Sequence, residues 1–287
     1  MSELTGFSLS SLAASGQKTE RKGCWNKRSD LSTHPLGAPS GREPDAASRW
    51  RGNARPSERM SDFTPSEIDA LYRVIAMRRD MRHFSSQPLD EALVQRLLKA
   101  AHMAPSVGLM QPWRLLRIRD MALRERIHSH VEAERRLTAR ALKEREDEFM
   151  RLKVEGVLEC GELLVAALMP GRERFIFGRR TMPEMDMASV ACAIQNLWLA
   201  ARAEGIGLGW VSLFDPEALR ELLRIPIGGR PVAVLCLGHV PEFYKRPMLE
   251  EQNWAHRADV KTCVMTDYWE DSPPTASADI VRSAGQG

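Results

Sequence analysis

The stretch MDMASVACAIQNLWLAARAEGIGLGW, residues 185–210, contains the strongest helical signal in the chain. Its apolar residues recur at helical spacing. They form a wide stripe made of Met187, Val190, Ala191, Ile194, Leu197, Trp198 and Ala201. Some of these residues are small, so neighbouring elements can approach closely. A stripe of this breadth predicts a helix that lies at the centre of the fold or at a subunit interface.

The glycines that follow this helix, in residues 205–210, have the spacing of a dinucleotide-binding fingerprint. That fingerprint requires a strand before the glycines and a helix after them, whereas these glycines follow a helix. We therefore interpret them as a helix end that runs into a strand. The alternative is that a glycine here lets the backbone approach a flat ligand.

The remaining elements are predicted by caps and by apolar periodicity. TPSEIDALYRVIAMRR predicts a helix, because Thr64 and Glu67 form a capping box and Pro65 takes the first helical position. A second helix follows the cap Asp90, and a short one follows Asp215. WRLLRIRD, ELLVAALMPG and RPVAVLCLGHV predict strands. The order is helix, helix, strand, helix, strand, helix, short helix, strand, which predicts an α+β fold.

The composition is typical of a globular protein. Hydrophobic residues make up 43% of the chain, and the mean hydropathy is −0.34. The formal net charge of +3 arises mainly from residues 1–60, so the rest is nearly neutral. No apolar run approaches the roughly 18 residues of a membrane helix. We expect a cytoplasmic protein that binds neither membranes nor nucleic acid and whose five scattered cysteines are reduced.

Three parts of the chain differ in their sequence pattern. Residues 1–60 are rich in Ser, Gly, Pro and Arg, so we predict a disordered extension. We favour a dispensable tail or a start at Met60 over a transit peptide, because the segment contains acids. Residues 61–270 predict the folded domain, and residues 271–287 predict a flexible tail. Within the domain, the highly charged residues 120–150 predict a solvated helical arm outside the core.

The histidines and Ser106 form no recognisable metal-binding or catalytic motif. His102, His128, His130 and His239 lack partners at metal-ligand spacing, so we assign no metal. Ser106 does not lie in a nucleophile-elbow sequence, which argues against a serine hydrolase.

The segment MRRDMRHF, residues 77–84, is unusual because it places Asp80 among Arg78, Arg79 and Arg82. If the preceding helix persists, helical spacing puts Arg78 and Arg82 on one side. The arginines could be the solvated end of a helix, where positive charge is favoured. They could equally be a phosphate clamp, since guanidinium groups bind phosphate bidentately. Composition alone leaves both interpretations open.

Four segments together resemble the FMN-dependent nitroreductase superfamily: RRDMRHF, APSVGLMQPW, GIGLGWVSLFD and VAVLCLGHV. The resemblance covers residues 64–250 and implies a mixed sheet flanked by helices. The chain is most similar to a branch of the superfamily that consumes flavin. Two departures favour that branch, because ordinary nitroreductases usually carry Ser in place of Asp80 and commonly carry Asn in place of Leu109.

The resemblance implies a homodimer with FMN sites at the subunit interface. For the flavin-consuming branch it implies that reduced FMN is the substrate and O2 the co-substrate. The products are then 5,6-dimethylbenzimidazole, which is the lower ligand base of cobalamin, and erythrose 4-phosphate. NAD(P)H enters only indirectly, through a separate flavin reductase. The alternative implied by the wider superfamily is an NAD(P)H-dependent nitroreductase or quinone reductase with bound FMN.

The resemblance also implies roles for individual residues, with Asp80 and Ser212 as the catalytic pair. The flavin-binding positions it implies are Arg78, Arg79, Asp80, Met81, Arg82, Pro105, Ser106, Leu152, Gly209 and Ser212, with Arg246 as a further phosphate contact. The arginines are expected to hold the phosphate and the ring edge, and Gly209 to let the backbone approach the ring. We expect the arginines to lower the pKa of Asp80, which acts as a base or orients the substrate.

Overall fold

The computed structural model describes residues 62–269, so the predictions for residues 1–60 and 271–287 lie outside the described residues. The helices are α1 (Pro65–Met77), α2 (Glu91–His102), α3 (Met121–Ala141), α4 (Glu146–Arg151), α5 (Met185–Ala203), α6 (Pro216–Leu222) and α7 (Met248–Glu251). The strands are β1 (Trp113–Ile118), β2 (Glu162–Leu168), β3 (Gly207–Val211) and β4 (Arg230–Gly238). In this part of the chain, no helix has both the length and the apolarity to cross a bilayer.

The four strands form one sheet in the order β1, β2, β4, β3, and each neighbouring pair is antiparallel. The central strands β2 and β4 are almost continuously buried, which accounts for their uninterrupted apolar sequences. Beyond β3, a single parallel bridge joins Asp80 to Leu208 and gives the sheet its mixed character. The predicted α+β class, with a mixed sheet flanked by helices, is confirmed.

Both faces of the sheet are covered, because alternate residues of β2 point to opposite sides. Leu164 belongs to a buried cluster that includes residues of α2 and α5. Val165 belongs to a second cluster, which includes Ile127 of α3 and Leu219 of α6. Helix α5 contacts all four strands as well as α1 and α2. Its broad apolar stripe therefore places it at the centre of the fold, one of the two positions expected from its sequence.

Helix α1 begins as predicted but ends before the arginines. Thr64 is the N-cap, and its side chain and that of Glu67 form the predicted capping box. The helix ends at Met77, and Arg78 is extended, with φ −63° and ψ 132°. The helix therefore does not persist to Arg82, and the condition on which helical spacing would place Arg78 and Arg82 on one side is not met.

Two further expectations differ from the structure. Residues 120–150 are largely helical, but α3 is not merely a solvated arm, because Ile127 and Val131 are fully buried. Its Arg124 is also buried and donates to two backbone carbonyls, which offsets the loss of solvation.

The predicted order of elements omits β3, although a strand that contains the glycines Gly207 and Gly209 is observed. The strand has only five residues, two of them glycine, so its signal in the sequence is weak.

Candidate active site

A cavity of about 320 Å³ lies beside the outer edge of β3 and joins segments that are far apart in sequence. We call its two sides the floor and the wall. The floor is lined by Arg78, Arg79, Asp80, Arg82, Trp210, Val211, Ser212 and Leu213. The wall is lined by Phe149, Leu152, Val154, Pro247, Met248, Leu249, Trp254 and Arg257. Arginines and a carboxylate therefore face a mostly apolar surface.

Arg79 holds the start of the floor in place. Its guanidinium donates to the carbonyl oxygens of Ala76 and Arg78, each at 2.8 Å, and to that of Lys245 at 2.9 Å. The first of these carbonyls belongs to the last turn of α1, where carbonyls lack helical partners. Arg79 therefore ties the end of α1 to the segment after β4, and most of its hydrogen-bonding capacity is used within the protein.

Asp80 and Arg82 are bound to each other and to the edge of β3. The Trp210 amide N–H donates to Oδ1 of Asp80 at 2.9 Å. Nη2 of Arg82 donates to Oδ2 of Asp80 at 2.5 Å and to the Trp210 carbonyl at 2.9 Å. Both carboxylate oxygens thus have a defined donor, and the orientation of the carboxylate in the floor is fixed.

The pKa of Asp80 is raised, which is the opposite of the sequence-based expectation. The loss of solvation on burial is the largest effect, and it outweighs the opposing effects of Arg82, of the Trp210 amide and of Arg78. The side chain is still 41% exposed through the open cavity, but surrounding protein desolvates the carboxylate. The expectation failed because the sequence shows neighbouring charges but not the depth of burial. A raised pKa makes this carboxylate a stronger base.

Arg78 and Arg257 supply the cavity with cations that are available to a ligand. Within residues 62–269, no protein acceptor bonds to either guanidinium. The Arg78 guanidinium instead lies over the ring of Trp198, 4.4 Å from its centroid. Burial lowers the pKa of Arg78, and repulsion from Arg257 contributes, but an arginine remains charged at neutral pH. This pair could receive an anionic group.

Met81 and Gly209 lie beneath the cavity lining. The Met81 side chain is fully buried. A Cβ on Gly209 would lie 2.7 Å from Nη1 of Arg82 and still closer to the Met81 carbonyl oxygen. Gly209 therefore allows the segment of residues 80–82 to pack against β3. The close approach at this glycine is made by the protein's own chain, and the approach to a flavin ring stays a prediction.

The other sequence-predicted site residues divide into two groups. Leu152 and Ser212 line the cavity. Pro105 and Ser106 do not, and the Ser106 hydroxyl accepts a hydrogen bond from the Gln111 amide at 3.0 Å. The cavity lining also lacks Arg246, whose backbone N–H donates to Glu251. The structure therefore brings residues 78–80, Arg82, Leu152 and Ser212 together around one cavity within one chain. The loop of residues 105–111 does not join them.

Apart from Leu152, the apolar residues of the wall were not selected from the sequence. Trp254 packs near Phe149, with ring centroids 5.9 Å apart, and the Arg145 guanidinium lies 3.6 Å from the centroid of Trp254. Trp210, on the floor, is similarly close to Trp198. The high tryptophan content of the chain was the available signal, since seven tryptophans are present and an exposed tryptophan often marks a binding surface.

His128 does have partners, contrary to the sequence-based expectation. Its ring lies within reach of Glu132 and Glu155, and its Nε2 is 3.7 Å from the Glu155 carboxylate. However, Arg135 pairs with Glu132 at 3.1 Å, and Lys153 lies 3.6 Å from Glu155. Because each carboxylate already has a cationic partner, we interpret this group as an ion-pair network.

Comparison with known proteins identifies relatives that match most of the described chain. The family model described as "Nitroreductase family" matches residues 75–239. A protein of Rhodospirillum rubrum named 5,6-dimethylbenzimidazole synthase is 43% identical over 198 residues, which are 68% of this chain and 93% of the relative. A protein of Rhodobacter capsulatus with the same name is 40% identical over 196 residues, which are 67% of this chain and 94% of the relative.

A solved structure shares the fold at low sequence identity. The BluB-like flavoprotein from Clostridium difficile 630 superposes with a TM-score of 0.54 at 18% identity, covering 69% of this chain and 99% of that one. At this identity the similarity concerns the fold alone. Together, the family model, which spans more than half of the sequence, and the curated relatives show that the chain belongs to the nitroreductase family.

Proposed function

We propose that this protein is a 5,6-dimethylbenzimidazole synthase, which fragments reduced FMN with O2 to 5,6-dimethylbenzimidazole, erythrose 4-phosphate and a fragment that contains the pyrimidine ring of the flavin. The product would supply the lower ligand of cobalamin. The observation that carries the proposal is the 43% identity to a named synthase across 93% of its length. The position of Asp80 in the cavity floor supports it, since a carboxylate there has no use in a site that only retains a phosphate.

The residues of the cavity fit a flavin mononucleotide. Its apolar walls suit a planar ring, and Arg78 and Arg257 suit a phosphate. The volume of about 320 Å³ lies near the lower end of the range of roughly 300–1,000 Å³ that is usual for ligand sites. A flavin with its ribityl chain would occupy all of this space, and one face of it would stay open to solvent. We therefore propose that a second subunit completes the site.

Asp80 is assigned the proton transfer that bond cleavage in the ribityl chain requires. Reduced FMN, as the substrate, supplies the electrons that O2 accepts. A C–C bond of the ribityl chain must break, and a base near a ribityl hydroxyl or the adjacent carbon promotes this. General-base catalysis typically contributes about 10²- to 10⁴-fold. The raised pKa of Asp80 favours its role as a base over a purely orienting role.

Ser212 and the wall are assigned supporting roles. The Ser212 hydroxyl lines the floor beyond Trp210, where it can donate a hydrogen bond to the substrate. Leu152, Phe149 and Trp254 present apolar surface to the same space. Excluding water there strengthens electrostatic interactions and protects reactive groups from side reactions.

Two surfaces support the proposal of a homodimer with two sites at the subunit interface. Helix α1 has no buried residue in the single chain, yet Leu71, Tyr72 and Ile75 are exposed on it at helical spacing. Such an apolar surface typically marks an interface. In addition, Leu109 is 78% exposed on the loop that carries Pro105 and Ser106, which do not line the cavity of their own chain. We propose that this loop faces the flavin of the partner.

The dimer is tested by Leu71→Arg, which places a charge on the exposed face of α1. We expect sedimentation velocity to show a dimer for the unmodified protein and a monomer for the variant. The matched control is Leu137→Arg, because Leu137 is 56% exposed on α3, away from this face. Equal dimer content in both variants would exclude α1 from the interface.

The function is tested by mixing the purified protein with chemically reduced FMN in air and analysing the products by mass spectrometry. We expect 5,6-dimethylbenzimidazole without NAD(P)H, because a separate flavin reductase is proposed to supply reduced FMN in the cell. Reoxidised FMN with no benzimidazole would contradict the synthase. Rapid NAD(P)H oxidation with a quinone or nitro acceptor would then support the reductase alternative.

A further inference from the structure

The side chains of Asp80 and Arg82 and the backbone of Trp210, at the edge of β3, form a closed ring of hydrogen bonds. Asp80 accepts from the Trp210 amide, and Arg82 donates to the Trp210 carbonyl. Arg82 also donates to Asp80, which completes the ring. Nη2 of Arg82 makes both of these bonds, so both N–H groups of this nitrogen are used within the protein, and Nη1 donates to the Met81 carbonyl at 3.5 Å.

Arg82 is further restrained by its surroundings. The residue is only 9% exposed, and its backbone N–H lies 3.3 Å from the Tyr244 hydroxyl. Its Nη1 packs over Gly209, where a Cβ would crowd it. Arg78 differs in each respect, because it lines the same cavity without a protein acceptor among the described residues. The two arginines of one segment are therefore not equivalent.

We propose that Arg82 is a positioning residue that holds the Asp80 carboxylate in its reactive orientation, and that it does not bind the FMN phosphate. Phosphate binding is left to Arg78 and Arg257. The consequence for the reaction rests on the proposed function, whereas the restraint on Asp80 does not. Within RRDMR, Arg78 then binds the substrate, Arg79 holds the end of α1 and Arg82 holds the Asp80 carboxylate.

The charges around Asp80 determine what the removal of Arg82 should do. Arg78 and Arg82 face the carboxylate from its own segment, and Tyr244 faces it from the segment after β4. Arg257, on the wall, faces Arg78 instead. Arg82 exerts the strongest attraction on the carboxylate, opposing a pKa that burial already raises. Without Arg82, the carboxylate should ionise only at still higher pH.

The kinetic test compares Arg82→Gln with Arg78→Gln. We expect Arg82→Gln to lower kcat for benzimidazole formation by about tenfold or more. On the acidic side of the pH profile kcat falls as Asp80 becomes protonated, and we expect this acid limb to move upward by about one pH unit or more. KM for reduced FMN should change little. Arg78→Gln should instead raise KM and leave the acid limb in place. A raised KM with an unmoved acid limb in Arg82→Gln would overturn the proposal.

Arg82→Lys is the conservative variant, since it keeps the charge but loses the rigid planar geometry of the guanidinium. We expect its acid limb to lie near that of the unmodified protein, with a kcat between those of Arg82→Gln and the unmodified protein. A kcat as low as that of Arg82→Gln, with a shifted limb, would contradict an electrostatic contribution. Circular dichroism before each assay checks that the variants are folded.

A second measurement does not depend on turnover. The backbone amide of Trp210 donates to Asp80, so its nitrogen and proton chemical shifts should follow the ionisation of that carboxylate. In protein labelled with ¹⁵N-tryptophan, with the signal assigned from a Trp210→Phe variant, we expect the midpoint to move upward in Arg82→Gln. An identical midpoint would overturn the proposal even if the protein makes no benzimidazole. Failure of the synthase assay with a moved midpoint would reject the function alone.

Discussion

The floor and the wall of the cavity are built in different ways. The floor includes two charged side chains, Asp80 and Arg82, that are hydrogen-bonded to β3 and thereby to the main sheet. Apart from Arg257, the wall is apolar, and its residues Phe149 and Leu152 belong to a small cluster of buried residues beside the two main ones. For the proposed reaction this difference implies a division of labour, in which backbone contacts fix the Asp80 carboxylate and the wall cluster excludes water.

The largest effect is expected on the floor, from Asp80→Asn. Benzimidazole formation should fall by about 10²- to 10⁴-fold, because the general base is lost. The affinity for FMN should stay within about tenfold, because the free arginines remain. Product formation is measured by mass spectrometry, and binding by quenching of flavin fluorescence. Turnover at the rate of the unmodified protein would remove Asp80 from the chemistry.

A smaller effect is expected from Arg78→Gln, which removes one free cation of the floor. KM for reduced FMN should rise by roughly 10- to 150-fold, the equivalent of a charge-assisted bond of about 1.5–3 kcal/mol. Steady-state rates against FMN concentration measure this. Arg136→Gln is the matched control, since Arg136 is exposed on α3 outside the cavity. An equal KM in the two variants would contradict phosphate binding by Arg78.

The smallest effect is expected on the wall, from Trp254→Ala. Opening the apolar surface to water should lower the yield of benzimidazole per FMN oxidised by about two- to tenfold, with a matching gain in hydrogen peroxide. The control is Trp269→Ala, because Trp269 is 85% exposed and does not line the cavity. If the yield were unchanged while FMN binding weakened, the wall would serve affinity instead of water exclusion.

Much of the fold is predictable from the sequence because it is encoded locally. The capping box at Thr64, the cap at Asp90 and the broad stripe of α5 each predict an element that the structure contains. The end of α1 is different, since no glycine or proline marks it. It coincides with bonds from Arg79 to Ala76 and to Lys245, which is 166 residues away. Local patterns do not contain that information.

The candidate site was predictable to the extent that its motifs are contiguous. The segment containing Asp80 and the one containing Ser212 both line the cavity, as the resemblance implied. The roles of the individual arginines were not predictable. Their side chains are identical, and they differ only in the hydrogen-bond acceptors that each contacts in the folded protein. Apart from Leu152, the wall was not predictable either, since Phe149 and Trp254 meet through packing across more than a hundred residues.

The parallel bridge at Asp80 has a consequence for solubility. A strand at the edge of a sheet exposes backbone groups that can pair with another chain and start aggregation. Here Met81, Asp80 and Arg82 occupy those groups of β3, partly with side chains. The segment of residues 80–82 thus also covers the exposed edge of the sheet. Asparagine at position 80 retains an acceptor for the edge, whereas alanine would leave the Trp210 amide open to a neighbouring molecule.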